Sequence, residues 1–267
     1  LVFSISLDLR LADFQRVARA PRAVVGGLIP QFVLLPVGTW LATLALDLPA
    51  PIEVAMLLVA ASPGGSTSSF ITHFGRGNAA LSLSISAVAA LLAPVLTPLN
   101  FSWMVTANPA TAQWVQTLAI DSAVIWRSFG LLLALPLLAG LACSRWLPNW
   151  SGKARQPLSR VALFALVAFI VANLIAQRHL LTLAVLPILG LVVLHNGAGL
   201  LLGYATAQLL RLHPSDRRAV VIEGGMQNVG FALGIVGAQF GGDLQMVVFT
   251  SPRALTLIWR RFLSRFG

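Results

Sequence analysis

The sequence predicts an all-α polytopic membrane protein, and three observations carry that prediction. The chain is 57% hydrophobic and only 10% charged, where a soluble domain carries roughly 25% charged residues. Apolar runs near the length that crosses a bilayer, about 20 residues, recur along it. Its basic residues fall in alternate loops. Net charge +10 and a pI near 11.7 would direct a soluble protein to nucleic acid. Here the distribution of that charge removes the need, so no nucleic-acid partner is expected. Cys143 is the only cysteine, so no intramolecular disulfide can form. No long polar stretch marks a second domain, and one transmembrane domain over residues 1–267 is expected.

The opening "LVFSISLDLRL" reads as the last turns of a helix already under way, with no cleavable signal peptide. Residues 24–46 form the first complete span and carry Pro30, Gln31 and Pro36. Residues 52–75 are apolar up to Ser62 and then break at "PGGSTSS"; residues 80–99 form a full span. Residues 129–147 make the next, preceded by an amphipathic stretch whose Trp114 and Trp126 suit an interface. Spans at 161–176 and 180–210 follow, the second long enough to tilt. Residues 217–240 contain "VVIEGGMQNVGFALGI", and 244–259 close the chain.

With alternating spans, Arg10, Arg16, Arg19, Arg22, Arg76, Arg145, Lys153, Arg155, Arg160, Arg211, Arg217, Arg218, Arg260, Arg261 and Arg265 fall on one side. The opposite loops hold Asp47, Glu53, Asp121 and Asp243, with only Arg127 and Arg178 as basic residues. The positive-inside rule makes the basic side, with the C-terminus, cytoplasmic. In a bacterium this is the inner membrane.

Two spans are interrupted in similar chemistry. One holds Pro63, Gly64, Gly65, Ser66, Thr67, Ser68 and Ser69; the other holds Glu223, Gly224, Gly225, Met226, Gln227 and Asn228. Proline and paired glycines unwind a helix. The freed backbone groups are tolerated at membrane depth only inside protein or against a wet cavity. Paired discontinuous helices in two repeats are how secondary transporters build a substrate and ion site. The spans run in opposite directions, so the repeats would be inverted. The other reading is that both breaks are packing kinks.

At these residues the sequence resembles the bile acid:sodium symporter family. The matching pieces are "SPGGSTSSFITHFGRGNAALSLSISAVAALLAPVLTPL", "VVLHNGAGLLLGY", "EGGMQNVGFALGI" and "IPQFVLLPVGTW", in the family's order over nearly the whole chain. The resemblance implies an inverted-repeat, ten-helix fold with two crossed discontinuous helices. It divides this chain into core elements near 24–104 and 180–262 and panel elements near 1–23 and 115–179. The chain would begin inside the family's second helix, leaving at most nine crossings. It implies symport of an organic anion, bile-acid-like or a small carboxylic acid, coupled to two sodium ions. It implies no enzymatic activity and no organic cofactor, and it is silent on oligomeric state.

The resemblance also assigns residues. Ser68, Ser69, Ser82, Ser86 and Glu223 would surround the first sodium; Gln31, Gln227, Glu223 and the carbonyls of Gly224 and Met226 would surround the second. Ser66, Thr67 and Asn228 would meet the substrate carboxylate at the half-helix N-termini. Two positions depart from the family, which usually has asparagine where Ser69 stands and threonine where Ser86 stands. Read without the resemblance, the same residues have plainer roles. Glu223 could be a protonated acid bonded to a neighbouring helix, Gln31 an interhelical bond, the serines back-bonded to their own helix, and Ser66, Thr67 and Asn228 simple caps.

His195 and Asn196 lie inside a long apolar span, where a helix-packing hydrogen bond outweighs a proton-relay role. A Ser–His pair of His73 with Ser66 or Ser69 lacks an acid to orient the imidazole. Arg253, after Pro252 in the last span, departs from the family and needs a partner or water. Two further readings stay open. One is a proton-coupled transporter with Glu223 carrying the proton; the other is a transport-inactive member that binds or senses.

Overall fold

The structure is a computed structural model. It describes residues 3, 6, 7, 17, 20–64, 67–119, 122–177 and 185–251. Among these, every named element is helical. The chain is an all-α membrane protein, with five helices long and apolar enough to cross a bilayer.

Helix α1 spans Pro21–Leu46. It starts on a proline, whose missing N–H costs nothing in a first turn. It ends where Asp47 turns left-handed, φ 45°. Midway, Pro30–Leu34 form a π-turn in which the Leu35 N–H bonds the Pro30 carbonyl. Pro36 explains the position: it has no N–H for the preceding turn, and its ring crowds a carbonyl there.

The next span is two helices, α2 (Ala50–Ala61) and α3 (Thr67–Phe74). Every α2 residue from Ile52 to Ala61 is buried, so this half-helix runs through protein and not along lipid. It stops because Ser62 precedes Pro63 and is held extended, φ −71°, ψ 141°. Helix α4 (Ala79–Ala107) is capped by Asn78, whose side chain accepts from the Leu81 N–H at 3.1 Å. It runs through Pro94 and Pro98 without ending, well past the expected stop at residue 99. A short helix α5 (Pro109–Thr117) follows on an Asn108 cap.

Helix α6 spans Ala123–Trp146. It therefore begins a turn and a half before the expected 129, and Trp126 lies in its first turn. It repeats the device of α1, with a π-turn at Gly130–Ala134 just before Pro136. Helix α7 (Pro148–Ala176) takes in Lys153, Arg155 and Arg160, which the sequence reading left in a loop. A basic first half and an apolar second half are compatible with one continuous helix that projects from the bilayer. No residue of its apolar window Gln156–Ala176 is buried.

Helix α8 (Val185–Leu209) and α9 (Pro214–Gly225) pack closely. A Cβ on Gly199 would lie 3.1 Å from Gly225 Cα, and one on Gly203 3.0 Å from Val221 Cα. Small residues four apart let the two backbones meet, which drives helix association where lipid offers no hydrophobic gain. Helix α10 (Val229–Gln239) and α11 (Leu244–Thr250) are separated by Gly241 and Gly242, both at positive φ. The expected Arg253 lies outside the described residues. In the main core Phe101 stacks on Phe129, ring centroids 5.7 Å apart, and Phe231 meets Phe129 edge-on at 5.3 Å.

At one end of the bundle the basic residues meet. Arg218 donates to the Arg76 carbonyl at 3.1 Å and Arg22 to the Leu210 carbonyl at 3.5 Å. At the other end Glu53, assigned to a loop from sequence, is buried in the first turn of α2. Its carboxylate accepts from the Leu48 N–H and from Asn108, each at 3.0 Å.

Candidate functional site: the crossing of two broken helices

The two breaks meet. Gly64 and Gln227 form an antiparallel bridge, and the Asn228 N–H donates to the Pro63 carbonyl at 2.8 Å. Backbone groups freed by one break are thus partly satisfied by the other, which is what apolar surroundings demand. A side chain on Gly64 would press on the ends of two polar side chains. A Cβ would stand 2.5 Å from Gln31 Nε2, 3.0 Å from Glu223 Oε2 and 3.6 Å from the Met226 carbonyl. Those same distances gather Gln31, Glu223 and Met226 around one point.

Glu223 lies in the last turn of α9 with no exposed surface. Ser68 of α3 donates to its Oε1 at 2.7 Å, and Ser82 of α4 donates to the same oxygen. Ser86 lies 3.0 Å from both oxygens, and Ser82 reaches Ser69 at 3.1 Å. The i, i+4 spacing of Ser82 and Ser86 explains why both hydroxyls reach one carboxylate. All five residues expected to form a group are together. None of these serine contacts to Glu223 is the back-bonding that helix serines commonly show, although Ser62 and Ser84 are back-bonded, to the Leu58 and Ala80 carbonyls.

On the other side of Glu223 the picture inverts. Gln31 and Gln227 are buried, yet among the described residues neither carboxamide oxygen nor nitrogen of either has a hydrogen-bond partner. Leaving such groups unpaired costs about 1–3 kcal/mol each. A hard cation fits this chemistry, because amide, carboxylate and backbone oxygens are its preferred ligands. Among the described residues no group of three His, Cys, Asp or Glu gathers elsewhere to offer a softer metal site. The Gly224 carbonyl lies away from the other expected ligands' shared point at Gly64. It faces α8, 3.3 Å from where a Cβ on Gly199 would stand.

Of the expected substrate contacts, Asn228 caps α10 by accepting from the Phe231 N–H at 3.0 Å. Ser66 lies outside the described residues, and Thr67 opens α3. His195 is engaged with Thr39 at 2.8 Å, joining α8 to α1 as a packing bond would. His73 is exposed near the end of α3, edge-on to Phe74.

Sequence reasoning missed Asn100, whose side chain donates to the Phe32 carbonyl at 2.9 Å beside the α1 π-turn. It also missed the Glu53–Asn108 pair. The available signal was Asn108 before Pro109, a capping pattern.

The comparisons with known proteins agree with this architecture. A family model described as Sodium Bile acid symporter family matches residues 1–184. "Uncharacterized sodium-dependent transporter YocS" of Bacillus subtilis (strain 168) is 33% identical over 259 residues, 97% of this chain and 76% of its own length. "Probable sodium/metabolite cotransporter BASS1, chloroplastic" of Oryza sativa subsp. japonica is 27% identical, over 92% of this chain but 58% of its own length. The "Ileal sodium/bile acid cotransporter" of Homo sapiens is 24% identical over 100% of this chain and 75% of its own length. Matched over more than half its length by the family model, with broken helices that cross at a buried glutamate, this chain belongs to the sodium bile acid symporter family.

Proposed function

We propose that the protein carries an organic anion, bile-acid-like or a small carboxylic acid, across the inner membrane in symport with sodium. The observation that carries this reading is the pair of buried, unpartnered carboxamides at Gln31 and Gln227 beside Glu223. Two sodium ions are bound. One lies among Ser68, Ser69, Ser82, Ser86 and Glu223. The other lies among Gln31, Gln227, Glu223 and the backbone oxygens of Gly224 and Met226. The ions tie α1, α3, α4 and α9 together and fix the starts of α3 and α10. Those N-termini, with Ser66, Thr67 and Asn228, then receive the substrate carboxylate.

Transport follows by alternating access. The core elements, near 24–104 and 180–262, move as an inverted-repeat unit against a panel near 1–23 and 115–179. Sodium drives the cycle only by binding the substrate-ready state more tightly than the alternative. The basic end, with Arg22, Arg76, Arg211 and Arg218, faces the cytoplasm.

Thermal stabilisation of detergent-purified protein, titrated with sodium against potassium, tests the reading. Saturable stabilisation by sodium alone, lost in Glu223→Ala, is expected. A folded wild type that sodium does not stabilise sinks the two-sodium mechanism. A second reading has its own support: Glu223 has no exposed surface, and a proton on its serine-lined side would neutralise the buried charge without an ion. Coupling through a proton on that side predicts sodium-independent uptake driven by a pH gradient. Substrate binding with no net flux would instead mark a sensor.

A further inference from the structure

We propose that Asn100 is the positioning residue for Gln31, acting by holding the π-turn in α1. The proposal rests on the reading of Gln31 as an ion ligand given above. It starts from the burial pattern of α1. Ala23, Gly27, Pro30 and Gln31 face inward in its first half. An unbroken α-helix would continue that stripe to 34, 38 and 41 or 42. The buried positions are instead Leu35, Thr39 and Thr43, each displaced by one, with Pro36 beside Leu35. One inserted residue, which is what a π-turn supplies, accounts for the shift. Both halves of α1 can then face the core at once. Gln31 meets Gly64 and Glu223, while Thr39 meets His195 and Thr43 meets Asn108.

The turn has a cost. Leu35 donates to Pro30, and Pro36 has no N–H, so the carbonyls of Gln31 and Phe32 lose a helical donor. Buried carbonyls need another. Asn100 of α4 supplies it to Phe32 at 2.9 Å. Its own oxygen accepts from the Trp103 indole at 3.2 Å, and Trp103 meets Trp40 of α1 edge-on at 5.5 Å. The Asn100 carboxamide is thereby oriented from both ends. On the far face of the turn the Pro30 ring abuts Gly224, a Cβ on which would lie 3.1 Å from Pro30 Cγ. The residue carrying the ion ligand is held between Asn100 and the break in α9. The π-turn of α6 also precedes a proline, Pro136. The α1 turn differs in carrying a buried, unpartnered carboxamide, Gln31.

The test measures half-saturating sodium in thermal-stabilisation titrations at constant ionic strength. It uses the full chain as wild type, Asn100→Ala, Gln31→Ala and the double variant. Residues supporting a ligand typically contribute about 10–100-fold to metal affinity. Asn100→Ala is expected to raise half-saturating sodium about tenfold. The double variant should be no weaker than Gln31→Ala alone, because both changes act on one interaction. A folded Asn100→Ala with a lower melting temperature in potassium but the wild-type sodium midpoint overturns the proposal, as do additive losses. Should Asn100→Ala not fold, Pro36→Ala removes the cause of the π-turn with a good helix former. It is expected to weaken sodium likewise, and wild-type affinity in it overturns the proposal. A sodium effect that Gln31→Ala abolishes and Asn100→Ala spares defeats this inference alone. No sodium effect in the wild type defeats the reading of the site as well.

Discussion

Glu223 is a carboxylate with no exposed surface, so its neighbours decide its state. Serine hydroxyls on one side already donate to it, while on the other two carboxamides have nothing to bond. Ser86 lies within reach of both oxygens. Ser86→Thr, which keeps the hydroxyl, should retain the sodium midpoint, whereas Ser86→Ala should raise it about tenfold. Equal midpoints for the two variants would remove Ser86 from the ion site. Ser69 reaches Ser82 with a short arm where the family usually offers an amide. Ser69→Asn is therefore expected to lower half-saturating sodium, read in the same titration; a rise would show that the pocket has no room for the longer ligand. Glu53 has the opposite profile. Both its oxygens are hydrogen-bonded and it joins the start of α2 to the end of α4. Glu53→Ala should cost about 1–3 kcal/mol of stability in potassium and leave the sodium midpoint unmoved. Its burial was not legible in the sequence, because an acid four residues after Pro49 at the end of an apolar run looks like a solvated loop end.

At the scale of the element, prolines and glycines set the geometry. Pro63 ends α2 by forcing Ser62 extended, and Pro36 and Pro136 each follow a π-turn. The breaks at "PGGSTSS" and "EGGMQN" were plain from composition, since those residues are poor helix formers. The π-turns were not. A proline inside an apolar run predicts a kink without saying how the register recovers, and recovery depends on what the next helix packs against. Residues 148–160 look like a loop in the sequence because they are charged, whereas a helix leaving the bilayer keeps its backbone bonded and turns basic. Between α8 and α9, Gly203 touches backbone while Gly197 has nothing within 4 Å of a Cβ. Gly203→Val should cost about 1–3 kcal/mol by overpacking against backbone that cannot yield. Gly197→Val should melt like the wild type, and equal losses at both would point to backbone propensity and not to packing.

For the whole molecule the open question is which parts move together. Helix α7 touches the α10–α11 region at three places. A Cβ on Gly237 would lie 3.0 Å from the Phe169 ring, Asn173 lies against Gly242, and Gln177 donates to the Gly242 carbonyl at 3.0 Å. If α7 belongs to a panel that moves against the core, these contacts must part in each cycle. A short bismaleimide joining Phe169→Cys to Gly237→Cys, with Cys143→Ser, should abolish uptake while sodium still stabilises the protein. Undiminished uptake after complete cross-linking would rule out relative motion there.

The sequence by itself determined the solvent, the helical class, most of the spans and the two breaks. Each follows from local composition: the run length of apolar residues, the sites of proline and glycine, and the alternation of charge. The family resemblance grouped Ser68, Ser82 and Ser86 with Glu223; only the tertiary structure decided which hydroxyl meets which oxygen, that the breaks bridge at Gly64 and Gln227, and that Asn100 serves a carbonyl in a helix far away in sequence. The physical reason is that a buried polar group must find partners, but its own residue type does not say which helix will bring them.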